Sequence, residues 1–190
     1  GQTMIIDIHG HYTTEPQALF TFRDKQLAGL VDATRKPTTT DLGITDEQLV
    51  ESVQRQLAFQ KERGSDITIF SPRASGMGHH VGPEWVSQEW TRLNNNLIHR
   101  ICSLLPNNFV GVGQLPQSPG VDPRNCIPEL ERMVNELGFV GQHEHAAARD
   151  NRCDVDGLAE ILLARDFAGC GIDTREAAGA RREPQARASE

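Results

Sequence analysis

Apolar positions along the first 141 residues fall into short β-branched runs separated by longer amphipathic stretches, and the two periods alternate. Met4 to His9 reads Met-Ile-Ile-Asp-Ile-His and stops at Gly10, the composition of a buried parallel strand. Residues 12–44 have no firm period, although Pro16 to Leu30 is long enough for a short helix. The stretch predicts an insertion over one end of the fold, where loops commonly carry function. Thr45 and Gln48 stand at capping-box spacing, Leu49, Val53 and Leu57 recur at helical spacing, and Gly64 ends the run, which predicts one helix over about 46–63.

Asp66 to Phe70 predicts a second strand, and Trp90, Leu93, Leu97, Ile101 and Leu104 mark a second long helix closed by Pro106. Phe109 to Leu115 predicts a third strand weakened by Gly111 and Gly113, followed by a loop from Pro116 to Pro123. Pro128 suits the first turn of the next helix, with Ile127, Leu130, Val134 and Leu137 on its buried stripe. Gly138 caps it, and Phe139-Val140-Gly141 opens a fourth strand.

The series βα, βα, βα, β belongs to the α/β class and requires a mainly parallel sheet with right-handed crossovers. Two architectures satisfy it: a (β/α)8 TIM-type barrel, of which these are the first three to four units, or a doubly wound open sheet. Periodicity does not separate them. His9, His11, Arg73, Ser75 and Gln117 all fall just after strand ends, the face where both architectures place their sites.

With 190 residues and 37% hydrophobic content, the chain has apolar material for one domain. A formal charge of -7 leaves no excess of Lys and Arg for phosphates, so nucleic acid is not an expected partner. No stretch approaches the roughly 20 apolar residues of a membrane span, and no basic leader precedes an apolar run, so no membrane partner and a cytoplasmic location are the expectations. Gly1, Gln2 and Thr3 precede the periodic pattern and are read as an extension outside the fold. Cys102, Cys126, Cys153 and Cys170 form no C-x-x-C pair and are read as reduced thiols.

The strongest chemical signal is Asp7-Ile8-His9-Gly10-His11. Two imidazoles two residues apart at a strand end point the same way and can share one metal ion. In an arbitrary protein such a pair is more often two surface or hydrogen-bonded histidines; the end of the first strand of a βα series favours metal. Arg73, in Ser71-Pro72-Arg73-Ala74-Ser75, offers a planar fork that can clamp a substrate carboxylate, with the neighbouring serines assisting, although a lone loop arginine is more commonly solvated. His79 and His80 share that loop and are candidates for an acid, a base or a further ligand, only one of which faces the site if the segment is extended. Gln117 and Ser118 can hydrogen-bond a polar substrate or simply build a turn. Trp85 and Trp90 read as packing residues on a helical stripe. Neither a glycine-rich phosphate loop nor a G-x-S-x-G elbow occurs, so nucleotide cofactors and serine-hydrolase chemistry lack support.

Taken together, Ile5-Ile6-Asp7-Ile8-His9-Gly10-His11-Tyr12-Thr13-Thr14, Glu62-Arg63-Gly64-Ser65-Asp66, Ser71-Pro72-Arg73-Ala74-Ser75 and Leu115-Pro116-Gln117-Ser118-Pro119-Gly120-Val121-Asp122-Pro123 resemble the 4-oxalomesaconate hydratases. These form a branch of the amidohydrolase-related group that includes aminocarboxymuconate semialdehyde decarboxylase. The resemblance covers roughly residues 4 to 141. It implies zinc, with manganese or iron as alternatives, held first by His9 and His11 and then by a histidine and a carboxylate of later strands. It also implies Arg73 gripping a carboxylate of a small tricarboxylic keto or enol acid, with water added across its double bond in protocatechuate or gallate degradation.

The resemblance stops after Gly141. From Gln142 to Glu190 Ala and Arg dominate, and only Gly157 to Phe167 offers an amphipathic run. This predicts an atypical tail over 142–190, out of frame or otherwise foreign, on a truncated hydratase, in which His143 and His145 imitate an H-x-H pair by accident. A barrel of this class takes about 250 residues, so half of one exposes two sheet edges and is expected to associate with itself or lose activity. Three readings follow: a hydratase, impaired by truncation; a hydrolase or decarboxylase of the same group acting on another carboxylated substrate; and an inactive self-associating or binding fragment.

Overall fold

The computed structural model describes residues 4–73, 76, 78 and 81–140, together with the backbone of 141–143. Ser75, His79 and His80 lie outside the described residues, and so does the tail expected over 142–190 apart from the backbone of Gln142 and His143, which stands in a strand. Four strands, β1 (Ile6–His11), β2 (Ile67–Ser71), β3 (Phe109–Gln114) and β4 (Gly141–His143), pair in parallel in the order β1-β2-β3-β4. That order separates the two architectures left open by periodicity. A doubly wound sheet reverses its strand order at a switch point, whereas a barrel adds each strand beside the one before it. The sheet is the first part of a TIM-type barrel.

Helix α1 (Gln17–Val31) follows β1, and α2 (Asp46–Ser52) and α3 (Gln54–Arg63) lead into β2. Between β2 and β3 runs α4 (Glu84–Leu104), and α5 (Ile127–Asn135) precedes β4. The helix predicted over 46–63 is therefore two. Its start is as expected, with Thr45 Oγ1 accepting from Gln48 N and the Gln48 side chain accepting from Thr45 N, and Gly64 ends it at φ 68°. The break comes at Ser52, whose hydroxyl bonds back to the Leu49 carbonyl at 2.7 Å, with Val53 held at φ -103° and ψ 7°. Such back-bonding bends helices, and on either side of the break Leu49 and Val53 are both buried in the core.

Helix α1 shows no clear apolar stripe because its buried positions include a polar one. Leu19, Phe22 and Gln26 face inward, and Gln26 Nε2 donates to the Val86 carbonyl at 3.3 Å and to Glu89 at 3.1 Å, tying the insertion to α4. The glycines of β3, read as weakening the strand, admit its neighbours. A Cβ on Gly111 meets the Phe139 ring at 2.5 Å, and one on Gly113 meets Met133 Sδ at 2.0 Å. Under the same face lies a buried polar network. Asn95 bonds the Gln114 backbone in both directions and donates to Glu129, which pairs with Arg132 at 2.6 Å.

The first strand differs from its sequence reading. It was expected to be buried, but Ile5, Ile6 and Ile8 are exposed, Ile8 to 76%. β1 has β2 on one side only, and among the described residues nothing covers the other edge.

Candidate functional site

All strands run the same way, so the residues leaving their C-terminal ends gather at one end of the sheet. In β1 the register is Asp7 opposite Thr68 and Gly10 opposite Phe70, which leaves Ile8 and His9 together opposite Ile69. This bulge is pinned by the Asp7 carboxylate, which accepts from His9 N at 3.1 Å. The strand then delivers His9 and His11 with Nε2 atoms 3.1 Å apart and rings nearly perpendicular at 81°.

The state of His11 follows from its neighbours. Its Nδ1 lies 2.7 Å from Ser71 Oγ. With the Ser71 proton on the carbonyl of Gly10 at 3.1 Å or of Pro72 at 3.3 Å, Ser71 can accept from His11 Nδ1–H. That tautomer leaves the Nε2 lone pair facing His9. Burial, then the neighbouring His9, lower the His11 pKa against an opposing contact from the Pro72 backbone, favouring the neutral imidazole that ligates metal.

The pair fits a shared cation. Two ligand nitrogens at about 2.0–2.1 Å from one ion, at angles between octahedral and tetrahedral, stand about 2.9–3.4 Å apart. The observed 3.1 Å falls within that bite. Among the described residues, no cluster of three or more His, Cys, Asp or Glu that could hold a metal is present. Beside the pair, a groove of about 370 Å³ runs between β1 and α3, lined in part by Asp7, His9, His11, Arg55, Gln56 and Phe59.

Arg73 leaves the end of β2 as expected, but its fork is already engaged. Nε donates to both Glu15 oxygens at 3.3 and 3.2 Å, and Nη2 donates to Oε2 at 2.9 Å and to the Thr13 carbonyl. Gln117 is half-buried in the loop after β3, and its neighbour Ser118 is buried and shares a hydrogen bond of 2.7 Å with Ser87 of α4. The two tryptophans pack: Trp90 Nε1 donates to the Gly76 carbonyl at 2.8 Å under Arg23, and Lys36 lies over Trp85. Two site residues were not singled out for these roles from sequence. Ser71 was read as an assistant to Arg73 yet serves His11, and Glu15 carried no signal beyond standing before Pro16. No helix among the described residues is long and apolar enough to cross a membrane.

The profile of the amidohydrolase family matches residues 6–167, a span that contains His9, His11, Arg73 and Gln117 and runs past residue 141. The 2-keto-4-carboxy-3-hexenedioate hydratase of Sphingobium sp. is 48% identical over 139 residues, which are 73% of this chain and 40% of that protein. The crystal structure of 4-oxalomesaconate hydratase from Rhodopseudomonas palustris matches with a TM-score of 0.68 at 50% identity, again over 73% of this chain and 40% of that one. A gamma-resorcylate decarboxylase of Polaromonas sp. is 30% identical over 108 residues, 57% of this chain and 32% of the decarboxylase. The chain thus spans about two fifths of the length of the hydratases it matches. With a profile covering most of its length and a barrel-type sheet that ends its first strand in a histidine pair, the chain belongs to the amidohydrolase family.

Proposed function

We propose that the chain carries part of the site of a metal-dependent hydratase, a hydro-lyase acting on 4-oxalomesaconate, a small tricarboxylic keto or enol acid. The observation that carries this reading is the 50% identity to a 4-oxalomesaconate hydratase over 73% of the chain. His9 and His11 would hold the metal, for which zinc is the proposal, with manganese or iron as alternatives. When bound, such an ion lowers the pKa of water or polarises a substrate oxygen.

The chain's own residues serve that chemistry in distinct ways. Ser71 fixes the His11 ring with its Nε2 toward the shared position. Arg73 and Gln117, at the same end of the sheet, meet the substrate's carboxylates and polar oxygens, with Ser75 assisting on the Arg73 loop. His79 or His80 is the proposed proton donor or acceptor. Self-association is part of the proposal, supported among the described residues by the exposed Ile6 and Ile8 of β1.

The test is to measure bound metal and 4-oxalomesaconate hydration on one purified sample and on a His9→Ala, His11→Ala variant. Stoichiometric metal, with metal and turnover both lost in the variant, is the expected result. A sample with neither metal nor turnover overturns the reading. The 30% identity to a decarboxylase favours a second reading, for which release of carbon dioxide from gamma-resorcylate without hydration is the signature.

A further inference from the structure

Glu15 and Arg73 come from different βα loops, and their contact is closer than a surface ion pair. The Glu15 side chain is 3% exposed and that of Arg73 34%. The Arg73 edge formed by Nε and Nη2 meets both oxygens of this buried carboxylate. The centroid of the Phe20 ring of α1 lies 5.6 Å from Arg73 Cζ. Glu15 precedes Pro16, the N-cap residue of α1, so its backbone is biased to the extended region.

Among the described residues no group takes Nη1, so this arrangement leaves that nitrogen, with two N–H groups, for a ligand. We infer that Glu15 is a positioning residue for Arg73: it holds the guanidinium by one edge so that Nη1 alone meets a substrate carboxylate, and it offsets part of the charge there. The inference rests on the hydratase reading for its substrate class. It replaces the two-pronged clamp expected from sequence with an end-on contact. Without Glu15 the long Arg73 side chain samples other rotamers and must be ordered anew by each ligand. The loss is one of binding, shared by ground and transition states, so KM rises while kcat holds.

The probe is tricarballylate, a saturated tricarboxylate, titrated calorimetrically into the full chain. Wild type, Glu15→Ala, Glu15→Gln, Arg73→Met and the Glu15→Ala, Arg73→Met double variant are compared, with thermal unfolding recorded for each. The expected result is a weakening of about tenfold in Glu15→Ala, the size of one charge-assisted hydrogen bond, with part of it recovered in Glu15→Gln, which keeps an acceptor. In the Arg73→Met background Glu15→Ala makes no further difference to affinity. A purely structural ion pair instead lowers the melting temperature and leaves affinity alone. Should Glu15→Ala fail to fold, Glu15→Gln carries the test with an expected weakening of about threefold.

Unchanged or tighter binding in the Glu15 variants, an undiminished loss without Arg73, or no tricarballylate binding by the wild type overturns the inference. Hydration by the wild type is scored separately. Turnover with affinities indifferent to Glu15 removes this inference and keeps the hydratase reading. Glu15-dependent binding without turnover does the reverse.

Discussion

Replacing Gly113 by alanine probes how closely β3 is approached by the helices behind it. The new Cβ lies 2.0 Å from Met133 Sδ and 3.0 Å from both Asn95 Oδ1 and the Phe139 ring. Ordinary contact between such atoms needs about 3.5–4.0 Å, so the sulfur must retreat by more than an ångström. Met133 is flexible but buried beside Leu130 and Phe139. Asn95 is less free, because its Oδ1 accepts from Gln114 N at 2.9 Å and withdrawal loosens that bond. Overpacking of this kind costs about 1–3 kcal/mol and a weakened buried hydrogen bond about 1 kcal/mol, which together predict a loss of about 2–4 kcal/mol. Urea unfolding of the full chain reads it as a lower midpoint at unchanged slope. Met133→Ala removes the sulfur and opens the space, so the Gly113→Ala, Met133→Ala double variant should fall short of the summed losses by at least about 1 kcal/mol. A Gly113→Ala loss within about 0.5 kcal/mol of zero, or strict additivity with Met133→Ala, refutes the packing argument.

Three further outcomes are expected. Ser71→Ala removes the hydrogen-bond partner 2.7 Å from His11 Nδ1 and should weaken metal binding about 10–100-fold in a chelator competition, with unchanged affinity counting against the orienting role. Arg132→Met leaves Glu129 charged and buried and should cost about 3–5 kcal/mol, whereas Glu129→Leu with Arg132→Met should cost less than Arg132→Met alone; urea unfolding decides, and a worse double variant rejects the ion-pair account. Burial pushes the Cys102 thiol up from its ordinary 9.0 to about 12, so at pH 8 it should alkylate far more slowly in the native chain than in urea. Because the folded value is raised, the accompanying stability is full below about pH 9 and falls between about pH 9 and 12, and a native rate equal to the denatured one excludes the shift.

Much of this fold is written in local pattern. The Thr45 and Gln48 cap, the Gly64 stop, the stripe from Trp90 to Ile101 and the β-branched runs of β1 and β2 each depend on neighbours a few residues away, so periodicity and capping chemistry reveal them. The same holds for the histidine pair, since a two-residue spacing at a strand end puts both rings on one side whatever else the chain does. Helix α1 was faint because its inward face includes Gln26, whose amide nitrogen is satisfied by Val86 and Glu89, 60 and 63 positions later, while Arg23 donates to its oxygen. The break at Ser52 was hidden for a similar reason, as no period records a hydroxyl bonding back to Leu49.

Only the tertiary structure decided which strands are neighbours; periodicity left barrel and open sheet equal, and the family resemblance alone pointed to the barrel. Strand order is a property of pairing, and βαβ units spell the same sequence pattern in either architecture. It also decided which partner each polar group takes. From sequence, Arg73 carried an uncommitted fork and Ser71 stood beside it. In the fold, Ser71 turns to His11 across the β1–β2 ladder, and Glu15, 58 positions before Arg73, occupies the arginine's edge. Pattern along a chain specifies faces and ends of elements, while the identity of a hydrogen-bond partner is set by contacts between elements distant in sequence.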